Sequence, residues 1–141
     1  MIYKIRQHVL DAASKAVEGL RAQGAPAMDQ DGGYRYQVGG NFCAVGQILK
    51  DQDGTDKLFG TVGNLKVNEA LERKLGILST PEGWFLREFQ KTCHDRIASM
   101  KDGTWEPNTD FVADLDLAWK ELQERVQVVG FMCDIYGDPV E

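Results

Sequence analysis

Histidine is scarce in this chain of 141 residues: only His8 and His94 occur, which excludes a metal or acid–base apparatus built from several imidazoles of one chain. The three cysteines, Cys43, Cys93 and Cys133, are odd in number and widely separated, and none belongs to a CxxC pair. Neither a disulfide framework nor a cysteine-rich zinc site is therefore expected, and the three read as free, partly buried thiols. No run of about 18 apolar residues exists, so no membrane span is expected, and the start MIYKIRQHVL lacks the apolar core of a secretion signal. A cytoplasmic protein is the expectation. The GG and FG pairs belong to no lysine-bearing phosphate loop and no dinucleotide fingerprint. The acidic run from Asp51 to Asp56 resembles a calcium loop only in composition. Counted from Asp51, its sixth position is Asp56 rather than glycine and its twelfth is Val62 rather than glutamate. A solvated turn is expected there, and no cofactor or metal anywhere.

What is present suits one compact domain spanning residues 1–141. Hydrophobic residues make up 43% and charged residues 27%, enough apolar surface to offset the ordering of the chain. The net charge of −6 disfavours binding to polyanions, and direct nucleic-acid binding is not expected. That charge is unevenly placed. Residues 1–101 carry 14 basic and 12 acidic side chains, whereas residues 102–141 carry ten carboxylates opposed only by Lys120 and Arg125.

Hydrophobic periodicity predicts a mainly helical α+β fold with four principal helices and a short antiparallel β element. Ile5, Val9, Ala13, Val17 and Leu20 form a helical stripe that Gly24 and Pro26 should end. Tyr34, Tyr36 and Val38 alternate with polar residues ahead of Gly39 and Gly40, the pattern of a short strand, for which the apolar tail at residues 131–136 is the best partner within the chain. Asn41 can cap the following apolar run, in which Gly46 permits a close approach. After a polar loop, a helix is expected near 67–75. A further helix starts at Ser79 or Thr80, with Pro81 and Glu82 in its first turn and Phe85, Phe89, Cys93 and Ile97 on one stripe. The last begins near Asn108 or Thr109 and aligns Phe111, Leu115, Leu122 and Val126.

Two constellations bear on function. Asp110, Asp114 and Glu121 lie on the last helix and Trp105 in the connection before it, so the region offers carboxylates and one aromatic anchor to a basic protein partner. Cys43 and His94 are the candidates for a thiolate–imidazole pair, with Asp95, Asp110 or Asp114 available to orient the ring; Cys43 equally suits core packing, and His94 with Asp95 a tertiary hydrogen bond. Trp84 and Trp119 read as core residues. The unpaired strand and apolar tail leave a third class open, a structural or self-associating protein.

The segments Tyr34-Arg35-Tyr36, FCAVGQIL from Phe42 to Leu49, and FLREFQ from Phe85 to Gln90 followed by His94 and Asp95, resemble those of a widespread group of small tailed-phage and prophage proteins. The likeness covers about two thirds of the chain. Lys50 and Asp51 replace the proline often found after the CAVG run, and one extra residue precedes His94. The resemblance carries no catalytic assignment onto Cys43, His94 or Asp95. It implies a bacterial host cytoplasm, where a small acidic protein can bind a host or defence-system protein; such a binding protein is the leading expectation, with inhibition of the partner as one outcome.

Overall fold

The computed structural model describes residues 5–27, 35–60, 62–98 and 111–132. Helix α1 (Gln7–Gln23) buries Val9, Ala13, Ala16, Val17 and Leu20, the stripe that its spacing predicts. It ends at Gly24, whose φ of 70° lets its N–H turn back to the Leu20 carbonyl. Two short strands, β1 (Gln37–Val38) and β2 (Asn41–Phe42), pair antiparallel with Gln37 opposite Phe42. Gly39 has φ 59° and Gly40 is not in the positive-φ region, the pattern of a two-residue hairpin connection with glycine first.

This hairpin corrects two expectations. The partner of the first strand is the segment directly after its turn rather than the chain's tail; residues 131 and 132 of the proposed tail are helical, and the rest of it lies outside the described residues. A two-residue connection closes far less chain than a pairing across some 90 residues, so its entropic cost is lower. Asn41 is consequently in β2 and caps nothing. The cap of α2 (Ala44–Leu49) is Cys43, whose Sγ accepts the Gly46 N–H at 3.2 Å.

A single 3-10 turn (Thr55–Lys57) follows, pinned by the Thr55 hydroxyl donating to the Leu49 carbonyl at 2.7 Å. Asn64 caps α3 (Leu65–Leu75) through the Lys66 N–H, and Ser79 caps α4 (Thr80–Gln90) in a reciprocal box with Glu82. Helix α4 does not run on as one regular α-helix. It passes into a π turn (Lys91–Asp95) and then α5 (Arg96–Ala98). The long α6 (Phe111–Met132) completes the order, so α1, α3, α4 and α6 are the four principal helices of a mainly helical α+β fold.

Phe85, Leu86 and Phe89 of α4 meet Leu20 of α1, Leu49 of α2, Leu71 of α3 and Leu115 of α6 in one buried cluster. Each such side chain contributes about 1.5–3 kcal/mol when removed from water. Phe89 meets the Trp119 ring edge-on at 5.6 Å, and Arg125 closes the α4–α6 seam by bonding Glu88 at 2.7 Å while lying 5.7 Å from the Trp84 ring centre. Trp84 and Trp119 are thus partly buried against the core, as their helical positions imply.

Candidate functional site

The π turn contributes to a buried polar network. A π turn carries an additional residue per hydrogen-bonded ring, and here it directs Cys93 and His94 inward. His94 is fully buried. Its Nε2 accepts the Ala27 N–H at 3.0 Å, so the ring hydrogen resides on Nδ1, which donates to Asp95 Oδ1 at 2.9 Å. The same Asp95 oxygen accepts from Gln90 Nε2 at 2.9 Å, and Gln90 Oε1 in turn accepts the Val45 N–H at the start of α2, at 2.8 Å. A chain of bonds therefore runs from the 24–27 segment through His94, Asp95 and Gln90 to the first turn of α2.

Cys43 stands at the far end of this chain, fully buried. Burial pushes its thiol up to about 12; the Gly46 N–H opposes the rise, and the negative charge of Asp95 adds to it. A thiol so placed is protonated at neutral pH and has no nucleophilic thiolate to offer. His94 already uses both ring nitrogens, one as acceptor and one as donor. Of the candidate thiolate–imidazole pair, Cys43 caps α2 while His94 bonds the Ala27 N–H and Asp95, and Gln90 lies between them, bonded to Asp95 and to the Val45 N–H. Cys93 is likewise buried, and burial lifts its thiol to about 12.

A second polar knot lies between α1 and the hairpin. The Gln23 side chain accepts the Phe42 N–H at 2.8 Å and donates to the Phe42 carbonyl at 2.9 Å, so a side-chain amide pairs with β2 as a neighbouring strand would. Gln47 Nε2 donates to the same Gln23 oxygen at 2.8 Å. These glutamines were not among the expected functional residues. Gln47 inside FCAVGQIL and Gln90 at the end of FLREFQ are polar residues within apolar stripes, and that pattern was the available signal.

On α6 the buried residues Phe111, Leu115, Leu122 and Val126 define the inner face. Asp116 is turned toward α1, where Arg21 Nε donates to it at 3.1 Å, and Arg125 toward α4. Glu121 and Glu124 remain exposed, with no ion-pair partner among the described residues. Leu117 lies one turn before Glu121 and two before Glu124 on the same outward stripe, 57% exposed. Asp114 borders this stripe half-buried and engaged, Lys120 flanks it, and Glu121 lines a shallow cleft together with Arg96 and Arg125. Trp105 and Asp110 lie outside the described residues.

Among the described residues no group of three or more histidine, cysteine or acidic side chains could hold a metal, and no helix is long and apolar enough to cross a membrane. Comparison with protein-family models, curated proteins and solved structures finds no match.

Proposed function

We propose that the chain is a protein-binding module that lays the outer stripe of α6 against a basic surface of its partner. The observation that carries this reading is the exposed Leu117 flanked by the unpaired Glu121 and Glu124. An apolar anchor with carboxylates along its edge supplies desolvation energy at its centre and charge selectivity beside it. The acid-rich stretch of residues 102–141 supports the choice of a cationic partner, and the likeness to small phage and prophage proteins favours a host or defence-system protein as the one bound and inhibited.

Affinity capture from a bacterial lysate identifies the partner, and titration of the purified pair then tests the surface. Leu117→Ala should weaken binding by about 1–2 kcal/mol, and Glu121→Lys with Glu124→Lys should weaken it further and remove most of its salt sensitivity. A partner bound equally well by wild type and by both variants would place its contact elsewhere and refute the α6 reading.

A further inference from the structure

A cleft of about 260 Å³ opens between α1, α2 and α3, with no lining residue from α6. Its apolar lining comes from Ala12, Ala16 and Ile48, and the lining also includes Lys15, Lys50 and Lys74 against the single acidic residue Asp51. For a chain whose net charge is −6, a concave local balance of three cations to one anion runs against the overall field. Like charges gathered around a cleft raise one another's energy unless a counter-charge enters.

Two of the three lysines are held by side-chain contacts. Lys74 is ion-paired with Asp51 across the α2–α3 junction. Lys50 Nζ donates to Gln47 Oε1 at 3.3 Å, and Gln47 is only 7% exposed, anchored from behind through Nε2 to Gln23. That Gln47 oxygen sits so close to Gly19 that a Cβ there would meet it at 2.3 Å, so the absence of a side chain on α1 is what admits the buried amide. Lys15 has no partner among the described residues.

We propose that this cleft is a binding site for a phosphate group carried on a small molecule. A phosphate dianion matches the excess of two positive charges, lysine ammoniums bind it as point charges, and the alanine lining leaves room for a short carbon skeleton. Large polyanions are held off by the remaining surface charge, which makes a small ligand the fitting class.

The test is a titration followed by amide chemical shifts, using inorganic phosphate and glycerol phosphate at ionic strength held constant with chloride. Saturable shifts centred on Lys15, Ile48, Lys50 and Lys74 are expected, with glycerol phosphate binding the more tightly. Lys15→Gln with Lys50→Gln, both exposed residues, should leave the melting temperature unchanged and weaken binding by about tenfold per ammonium removed. Ala12→Leu, which fills the apolar part of the cleft and keeps every charge, should exclude the ester. Absence of a saturable shift up to about 20 mM of either ligand overturns the proposal, as does wild-type affinity in the double lysine variant or in Ala12→Leu.

Discussion

Replacing Glu82 by glutamine probes the tie that joins the beginning of the chain to α4. Glu82 is buried, its side chain 1% exposed, and it receives the Arg6 guanidinium, with Nε at 2.9 Å from Oε2 and Nη2 at 2.8 Å from Oε1. The Arg6 backbone N–H at 3.0 Å and the Ser79 N–H at 3.0 Å complete its shell. Burial by itself would raise this carboxyl, but the Arg6 and Ser79 hydrogen bonds outweigh it and hold the group at about 2 against an ordinary 4.5. Because the folded value is the lower one, the contribution is fully present above pH 4.5 and is lost as pH falls toward 2. The shift corresponds to about 3 kcal/mol, which we reduce to about 2 kcal/mol because Arg6 is half exposed and water screens its charge. Glu82→Gln should therefore cost about 2 kcal/mol at pH 7, and the gap to wild type should shrink to about 0.8 kcal/mol at pH 3. Urea unfolding followed by tryptophan fluorescence and far-ultraviolet circular dichroism at pH 7, 5 and 3 measures both quantities. A variant within about 0.5 kcal/mol of wild type at pH 7, or a gap that stays constant down to pH 3, would refute this account of the pair.

The remaining predictions concern close packing and thiol access. At Gly46 an added Cβ would lie 2.0 Å from the Tyr36 carbonyl oxygen and 3.2 Å from Cys43 Sγ, so Gly46→Ala should destabilise by about 3 kcal/mol or prevent folding. Gly83 in α4 has open space at the same position, and Gly83→Ala should stabilise by about 0.5–1 kcal/mol; thermal melts of the two variants that shift in the same direction would contradict this contrast. In a Cys133→Ser background, Cys43 and Cys93 should resist iodoacetamide at pH 8 and react only under denaturing conditions, because both thiols are buried and raised to about 12. Rapid native-state alkylation of Cys43, read by mass spectrometry, would revive its candidacy as a nucleophile.

Much of the fold is legible where information is local. The spacing of Val9, Ala13, Val17 and Leu20 identifies the buried face of α1, Gly24 its end, and Ser79 with Glu82 the start of α4, because periodicity and capping act within a turn or two of chain. The need for glycine at position 46 is legible as well, though not its reason, which is a backbone carbonyl ten residues earlier in the sequence. The hairpin partner does not follow from apolar pattern, which favours the tail, although the Gly39–Gly40 pair already permits the shorter connection. The π turn is invisible to a helical stripe that treats Phe89, Cys93 and Ile97 as one regular helix.

For the candidate sites the division is sharper. Sequence alone determines that the carboxylates concentrate toward one end and that chemistry from histidine and cysteine has only a few residues to draw on. Tertiary structure alone decides that Glu82 faces Arg6 across 76 positions, that Gln23 completes a strand edge 19 residues away, and that His94 spends both nitrogens on Ala27 and Asp95. It also brings Lys15, Lys50 and Lys74 from three separate segments to one cleft while turning Asp116 inward and leaving Glu121 and Glu124 outside. The physical reason is range: helix and turn propensities follow from neighbours along the chain, whereas a hydrogen bond or a charge acquires its partner only when packing of the apolar faces has set which helices lie side by side.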